Sequence, residues 1–444
     1  MKKKIFFSLV CIFILNISFL LQENNNTLNN NSSNDFRNIA PNSSDIDSWD
    51  TTWGGSDNEW ASAIVLDTSG NIYLAGFTFS FGAGSSDFVL VKYDSSGNFQ
   101  WYRTWGGSDE DEAWAIALDT SGNIYLAGGT KSYGEGGVDI CLVKYDSSGN
   151  FQWYRTWAGG WAFAIALDFS DNIYIAGDTY SFGAGSSDMY LVKYDSSGNF
   201  QWYRTWGGSL RDGGRAIALD SSGNIYIAGN TESFGAGGLD LVLVKYDSSG
   251  NFQWYRTWGG SDWEGAGAIA LDTSGNIYIA GNTESYGEGR TDMCLVKYDS
   301  SGNFQWYRTW GGIDEDGGEA IALDSSGNIY IAGNTESYGE DWVDMCLVKY
   351  DSSGNFQWYR TWGGSDEDVE WAYAIALDSS ENIYIAGYTR SYGEGGSDIC
   401  LVKNPKASKA KKPSIPSYNT LILISILCVT SVILAISEKL KHIY

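Results

Sequence analysis

Four short apolar segments separated by polar turns recur along most of the chain. Between Trp105 and Trp157 they read AIALD, NIYLAGGT, DICLVKYD and NFQWYRTW, and Gly, Asn, Asp and Ser bound each of them. Segments of this length that are rich in β-branched and aromatic residues are typical of β-strands. TSG or SSG, followed by Asn, joins the first to the second segment and the third to the fourth. Because Gly and Asn adopt positive φ cheaply, these turns predict antiparallel hairpins.

The four-strand pattern repeats with a nearly fixed period. Equivalent tryptophans recur every 52 residues, and once after 49, at Trp53, Trp105, Trp157, Trp206, Trp258, Trp310 and Trp362. A period near 50 residues indicates a propeller or a solenoid, and four antiparallel strands per repeat are typical of a propeller blade. The segment that ends at Trp53 is a fourth strand without a repeat of its own, whereas the last repeat has three strands and lacks a fourth. We therefore predict that the N-terminal strand completes the last blade; the alternative is an open stack, which would need caps at both ends.

The predicted fold class is all-β. We expect residues 48–403 to form a seven-bladed β-propeller of four-stranded antiparallel blades, closed by the N-terminal strand, and residues 420–437 to form one C-terminal transmembrane helix because their 18 apolar or small side chains carry no charge. Residues 1–22, three lysines and an apolar run, predict a signal peptide or N-terminal anchor. Residues 404–419 form a basic linker and residues 438–444 a cytoplasmic tail.

The remaining segment, residues 23–47, is an Asn- and Ser-rich stalk. Its candidate glycosylation sites are Asn25, Asn30, Asn31 and Asn42. Together with the two apolar ends, it predicts an exported protein at the cell surface that is anchored in the membrane by its C-terminal segment.

The segment TWGGSDEDEAWAIALDTSGNIYLAGGT, which starts at Thr104, resembles the SBBP β-propeller repeat. The resemblance covers residues 48–403 in seven copies, although the third copy, with WAGGWAF, is shorter and has no acidic loop. It implies the propeller fold and a cell-surface setting, and it implies no reaction. Residues 415–444 are similar to archaeal C-terminal sorting segments, which would imply that a lipid replaces the apolar span.

Charge and histidine content exclude several classes of function. The formal net charge of -26 argues against nucleic acid and anionic membrane surfaces as partners. The single histidine, His442, follows the apolar span, so Ser-His, Cys-His and zinc-histidine sites are excluded from the propeller. We therefore predict that the protein is not an enzyme, although a carboxylate pair suited to glycoside hydrolysis stays an alternative.

Candidate binding residues lie in the connections after the second and fourth strands, which share one face of the disc and vary between repeats. The acidic and aromatic ones are Asp109, Asp111, Tyr133, Glu135, Tyr286, Glu288, Asp314, Asp316, Tyr338, Glu340, Trp342, Asp366, Asp368, Tyr392 and Glu394. No cofactor is required, but oxygen-rich clusters suit Ca²⁺; a solvated acidic rim is the other interpretation. By contrast, Asp87 and its equivalents occur in every repeat, which predicts that they fix a loop. Val occupies the position of Cys141 in other repeats, which predicts a buried apolar position, and we predict no disulfide because equivalent points on neighbouring blades lie too far apart for a bridge.

These patterns predict a binding or adhesion scaffold that contacts protein or glycan through one face of a monomeric propeller. Two alternatives stay open. One is an extracellular enzyme that acts on glycans or other polymers with loop carboxylates, and the other is a purely structural component of a surface layer.

Overall fold

The computed structural model describes residues 49–339, 342–364 and 369–405. All regular structure in the described residues is β-sheet, and the strands follow the sequence repeats.

The N-terminal strand and the first three repeats contain twelve strands. Before repeat one lies β1 (Trp49–Trp53). Repeat one comprises β2 (Glu59–Leu66), β3 (Ile72–Thr78), β4 (Asp87–Tyr93) and β5 (Phe99–Trp105). Repeat two comprises β6 (Asp111–Leu118), β7 (Ile124–Thr130), β8 (Asp139–Tyr145) and the first part of β9 (Phe151–Leu167). Repeat three comprises the rest of β9 with β10 (Ile173–Thr179), β11 (Asp188–Tyr194) and β12 (Phe200–Trp206).

The last four repeats contain fifteen strands. Repeat four comprises β13 (Asp212–Leu219), β14 (Ile225–Thr231), β15 (Asp240–Tyr246) and β16 (Phe252–Trp258). Repeat five comprises β17 (Glu264–Leu271), β18 (Ile277–Thr283), β19 (Asp292–Tyr298) and β20 (Phe304–Trp310). Repeat six comprises β21 (Asp316–Leu323), β22 (Ile329–Thr335), β23 (Asp344–Tyr350) and β24 (Phe356–Trp362). Repeat seven comprises β25 (Glu370–Leu377), β26 (Ile383–Thr389) and β27 (Asp398–Asn404), and β1 lies beside β27 as its fourth strand.

The first strands of successive repeats contact one another, and β25 contacts β2, so they line a closed ring. The second and third strands form the core: all seven residues of β3 are buried, as are six of the seven in β4. The fourth strands are the outermost and half exposed, as in β5. This order explains why the apolar second and third segments read as continuous runs, since both of their faces are covered.

A β-bulge occurs in each first strand. In repeat one the register shifts between Ala61 and Ala63, so Ser62 has no partner on β3. The equivalent bulged residues are Trp114, Phe163, Arg215, Gly267, Glu319 and Tyr373. The bulge explains the glycine in each second strand, because a Cβ on Gly76 would lie 1.7 Å from the carbonyl oxygen of Trp60. Bulges of this kind re-aim a side chain and are common next to functional sites.

The predicted fold class is wrong as stated. The described residues form 27 strands and no helix, in five four-stranded sheets and one seven-stranded sheet, rather than seven separate blades with a C-terminal helix. Two blades merge because WAGGWAF lacks the residues that elsewhere make a loop, so the fourth strand of repeat two continues into the first strand of repeat three as β9. The structure is an all-β, propeller-like fold.

The remaining predicted segments lie outside the described residues. These are residues 1–47, the linker from residue 406 onward, the apolar segment 420–437 and the tail 438–444. Within the described part of the chain, no helix offers the length and apolarity that a bilayer crossing requires.

Candidate functional site

The connections between strands lie on two faces of the ring. Tight turns such as Asp67–Asn71 and Asp94–Asn98, which follow the first and third strands, form what we call the turn face. The longer connections after the second and fourth strands, such as residues 79–86 and 106–110, form the loop face. Isolated parallel bridges, for example between Ser86 and Glu110, join neighbouring repeats on the loop face.

Two of the predicted ligands, Asp111 and Asp316, are buried on the loop face and serve the loop itself. The Asp111 carboxylate accepts hydrogen bonds from the hydroxyls of Thr130 and Ser132, and from the backbone N–H of Gly107 at 2.8 Å. Asp316 has the same three kinds of partner, Thr335, Ser337 and Gly312. Neither carboxylate is presented to solvent.

The aspartate at the start of each third strand fixes a loop, as the sequence predicts. In repeat one Asp87 accepts hydrogen bonds from the backbone N–H groups of Ala83 at 2.8 Å and Gly84 at 3.2 Å. Burial raises the pKa of Asp87, although these two hydrogen bonds oppose the shift. Asp139, Asp188, Asp240, Asp292 and Asp398 make the same kind of contact.

Three of the predicted contact tyrosines are held by packing. The hydroxyls of Tyr133, Tyr286 and Tyr338 donate to the carbonyl oxygens of Gly106, Gly259 and Gly311 at 3.0, 3.1 and 2.9 Å. The ring of Tyr133 also packs against Trp105, with 5.0 Å between the centroids. The difference between YGE and FGA repeats is therefore, at this position, one added hydrogen bond.

The other described candidates are exposed on the loop face. They are Asp109, Glu135, Glu288, Asp314, Trp342, Tyr392 and Glu394. Trp342 and Tyr392 are 67% and 58% exposed. Glu340, Asp366, Asp368 and the four glycosylation candidates lie outside the described residues.

The loop acids do not converge on a metal-binding arrangement in the described part of the chain: it contains no group of three or more Asp, Glu, His or Cys side chains placed to hold an ion. The Ca²⁺ hypothesis stays a prediction, because Glu340, Asp366 and Asp368 lie outside the described residues. The four cysteines Cys141, Cys294, Cys346 and Cys400 are buried free thiols, each opposite a glycine of the second strand.

A second group of residues, which sequence analysis missed, lies where the first strands begin. We call it the ring entrance. Each repeat contributes three residues to it. These are the bulged residue, the residue two positions before it, and the second-strand residue that pairs with this earlier residue. These opposed pairs are Trp60 with Phe77, Glu112 with Gly129, Trp161 with Asp178, Gly213 with Asn230, Gly265 with Asn282, Gly317 with Asn334, and Trp371 with Tyr388.

One half of the ring entrance is aromatic. Six aromatic rings follow one another here, and we call them the aromatic arc: Tyr373, Tyr388, Trp60, Phe77, Trp114 and Phe163. The centroids of neighbouring rings, taken in this order, lie 6.1, 5.2, 4.9, 5.7 and 5.9 Å apart. Phe77 and Tyr388 are buried, whereas the other four rings are half-buried. The arc therefore runs through repeats seven, one, two and three, and its two buried rings pack against Trp60, Trp114 and Tyr373.

The other half of the ring entrance is polar. Arg215 connects it to the arc, because its guanidinium lies 4.0 Å from the centroid of Phe163 and 3.3 Å from the carboxylate of Asp178. Asn230 and Asn282 accept hydrogen bonds from the backbone of the next repeat, at Ala266 and Gly318.

The charges of bulged residues act on bulged residues of other repeats. Burial raises the pKa of Glu319, while a hydrogen bond from Asn282 and the charge of Arg215 oppose the shift. Burial likewise raises the pKa of Tyr373, with a further contribution from Glu319. Arg215, Glu319 and Tyr373 belong to repeats four, six and seven, so these effects act between repeats.

Several polar atoms at the ring entrance have no hydrogen-bond partner among the described residues. They are the Oδ1 atoms of Asp178 and Asn334 and the Nε1 atoms of Trp60 and Trp114. Asp178 is 2% exposed and Asn334 is 6% exposed. A buried polar atom without a partner costs about 1–3 kcal/mol.

A separate pocket of about 440 Å³ lies at the outer edge, lined by Arg155, Thr156, Trp157, Tyr194, Gly198, Asn199 and Phe200. The same residue types occur at the equivalent positions of repeat one and repeat two, from Arg103 to Phe151. This pocket is therefore a product of the repeated scaffold and does not distinguish one repeat from another.

Comparison with known proteins agrees with this geometry. The family model of the SBBP beta-propeller repeat matches residues 201–234, 314–339 and 357–393. The chain contains SBBP repeats. A further model, the DUF5122 beta-propeller domain of unknown function, matches residues 170–200. The resemblance predicted from the sequence is confirmed at these places.

The SBBP-repeat chain is also similar to individual proteins. It is 30% identical over 114 residues to the regulatory protein FlaEY of Caulobacter vibrioides, a match that covers 23% of this chain and 12% of that relative. The WD40 beta propeller domain of Doa1 superposes with a TM-score of 0.50 at 10% identity, over 82% of this chain and 97% of that domain. The Dos1 propeller gives a TM-score of 0.49 at 12% identity, over 80% and 95% of the two chains. The likeness to the Doa1 domain shows the fold alone, and a propeller fold suggests a binding or scaffold role.

Proposed function

We propose that the protein is a non-catalytic binding module whose loop face engages a protein partner with a basic surface. The observation that carries the proposal is the division of the acids in the loops. Asp111 and Asp316 are buried and accept hydrogen bonds from their own loops. By contrast, five acids on the same face are exposed: Asp109, Glu135, Glu288, Asp314 and Glu394.

The contrast between the two faces supports this proposal. Turn-face sequences recur almost unchanged as DTSGN or DSSGN, while the loop face varies in length and charge. Loops on a rigid scaffold are where binding residues concentrate. Complementary charge accelerates association and selects partners, and repeated loops allow several weak contacts to act together.

The proposed setting is the exterior of the cell, with the ring held near the membrane by the C-terminal segment. It rests on the lysine-rich apolar start, the Asn- and Ser-rich stalk and the apolar segment at 420–437. Export would also explain the acidic net charge as a means of keeping the surface soluble.

The test compares two variants of equal charge in the full-length protein. The loop-face variant combines Asp109→Asn, Glu135→Gln, Glu288→Gln, Asp314→Asn and Glu394→Gln. The turn-face control combines Asp94→Asn, Asp146→Asn, Asp195→Asn, Asp247→Asn and Asp299→Asn, each of which keeps one oxygen to accept the two backbone hydrogen bonds of its turn. Binding of cytochrome c, a basic probe protein, is measured by calorimetry at several salt concentrations.

We expect the loop-face variant to bind cytochrome c about tenfold or more weakly, because exposed ion pairs contribute roughly 0.2–1 kcal/mol each. The turn-face control should lie within about twofold of the unmodified protein. Equal losses in both variants would mean that net charge alone attracts the probe, and the proposal would then fail.

A further inference from the structure

We propose that the ring entrance is a binding site for an uncharged saccharide, held between the aromatic arc and the unpaired polar atoms of Asp178, Asn334 and Trp60. This site is separate from the exposed acids on which the proposed function rests.

The aromatic arc supplies the apolar part of such a site. The half-buried rings of Trp60, Trp114 and Tyr373 pack against the buried rings of Phe77 and Tyr388, and the ring of Phe163 packs against Trp114. The face of an aromatic ring carries negative charge and attracts C–H groups, as in edge-to-face pairs. A sugar ring presents C–H groups on its faces, so the arc matches that surface. Ligand sites are commonly lined in this way, with a few polar groups that fix the orientation.

The unpaired atoms define the polar part of the ligand. Asp178 Oδ1 and Asn334 Oδ1 can only accept hydrogen bonds, whereas Trp60 Nε1 can only donate one. A hydroxyl group does both, so the hydroxyls of a saccharide match the donor and the acceptors alike. An ammonium ion would leave the indole N–H unpaired. An anion would leave both oxygens unpaired and would be repelled by the net charge of -26.

Glycines make room for the ligand in the polar half. Repeats one, three and seven carry Trp60, Trp161 and Trp371 at the position two before the bulge, whereas repeat five carries Gly265. A Cβ on Gly265 would meet no atom closer than 3.6 Å, and its neighbour is the side chain of Asn230. The variant Gly265→Trp therefore places an indole where three other repeats already hold one, and it narrows the entrance without removing any proposed contact.

The experiment is calorimetric titration of the full-length protein with cellohexaose, maltohexaose, mannohexaose and chitohexaose. We expect at least one of the four to bind. Trp60→Phe keeps the ring and removes the donor, and Asn334→Ala removes an acceptor; each should weaken binding by roughly two- to tenfold, the worth of one hydrogen bond. Gly265→Trp should abolish binding while the far-ultraviolet circular dichroism and the melting temperature stay close to those of the unmodified protein.

The matched control is Trp263→Ala, which removes a 58% exposed tryptophan from a loop of the loop face. It should leave saccharide binding unchanged. Failure of all four saccharides to bind would overturn the proposal, and so would binding that persists in Gly265→Trp or falls as much in Trp263→Ala as in Trp60→Phe. The Gly265→Trp variant keeps all the exposed loop-face acids, so its binding of cytochrome c tests the proposed function separately. Failure of either proposal can therefore be recognised without the result of the other.

Discussion

At the scale of single residues, identical side chains two positions apart have different roles. Asp109 and Asp111 lie in one acidic cluster, but Asp109 is exposed and Asp111 is buried, with Thr130, Ser132 and Gly107 donating to its carboxylate. The second residue of the cluster, Glu110, pairs with Lys131 on the surface. The composition of the cluster therefore does not reveal which acids are available to a ligand.

This difference predicts opposite outcomes for two Asp→Asn substitutions. Asp111→Asn replaces a charged acceptor with an amide whose N–H₂ group would face other donors, and we expect it to lower the free energy of unfolding by about 1–3 kcal/mol. Asp109→Asn, the matched control, should change it by less than about 0.5 kcal/mol. Guanidinium chloride denaturation measures both. Similar small effects from the two substitutions would show that Asp111 does not hold the loop.

At the scale of elements, two kinds of acid shift their pKa in opposite directions. In the exposed turn of repeat one, the side chain of Asn98 and the backbone N–H groups of Asn98 and Ser96 donate to Asp94 and lower its pKa from 3.8. In the neighbouring turn, burial tends to raise the pKa of Asp67, but hydrogen bonds from Asn71, Ser69 and Tyr73 outweigh it and the pKa is lowered. The loop-fixing aspartates such as Asp87, whose pKa burial raises, behave in the opposite way.

We therefore expect a maximum of stability at mildly acidic pH. A group whose pKa is raised by folding binds its proton more tightly in the folded state, so stability increases as the pH falls from 7 toward the ordinary carboxyl range. A group whose pKa is lowered contributes stability that is present above 3.8 and is lost as the pH falls through its folded pKa.

Melting temperatures measured between pH 7 and pH 2.5 should first rise and then fall. In the turn-face variant, the fall at the acidic end should be smaller, because five of the turn carboxylates are gone. A melting temperature that decreases steadily from pH 7 downward would contradict this account.

Most elements could be predicted from the sequence, because the apolar segments and the Gly- and Asn-containing turns act locally and recur. The merging of two sheets at β9 could not, since it depends on how the shortened WAGGWAF segment pairs with both of its neighbours. The ring entrance was missed for a similar reason. A bulge changes which way a residue points, so strict alternation cannot place Trp114, Arg215 or Glu319.

A sequence signal for the ring entrance nevertheless exists. The first strands read EWASAIVL, DEAWAIAL, GWAFAIAL, DGGRAIAL, EGAGAIAL, DGGEAIAL and EWAYAIAL. Their last four positions are nearly constant, whereas the second and fourth positions vary from glycine to tryptophan. The large changes in side-chain size and charge fall at two positions, while the other positions of the strand change little, and this contrast indicates a function at those two positions.

At the scale of the whole molecule, the ends of the repeat array are joined by β1. This strand pairs with β27 of repeat seven, while its Trp53 packs against Phe81 and Tyr102 of repeat one at 5.1 Å between centroids in each case. Trp206 makes the same kind of contact in the middle of the array, with Phe234 at 5.1 Å and Tyr255 at 5.2 Å. The two tryptophans thus have equivalent ring contacts. Their strands differ in connection, because β12 has repeats before and after it along the chain, whereas β1 has a repeat only after it.

This comparison leads to a prediction about association. Trp53→Ala and Trp206→Ala should each lower the free energy of unfolding by about 2 kcal/mol or more, as truncation of a packed aromatic side chain does. Only Trp53→Ala removes packing from a strand that is followed, but not preceded, by a repeat. Strand β1 should therefore detach more often and expose the edge of β27. An exposed strand edge pairs with other chains.

We therefore expect light scattering after size-exclusion chromatography to show dimers or larger species of Trp53→Ala. We also expect protease to cut this variant between β1 and β2, that is, between residues 53 and 59. In Trp206→Ala, β12 stays connected to neighbouring repeats on both sides, so the protein should keep the mass of the unmodified protein despite its lower stability. If both variants kept that mass and resisted the protease equally, β1 would not be what closes the ring, and the loop face and ring entrance would have to be stabilised by contacts between the first strands alone.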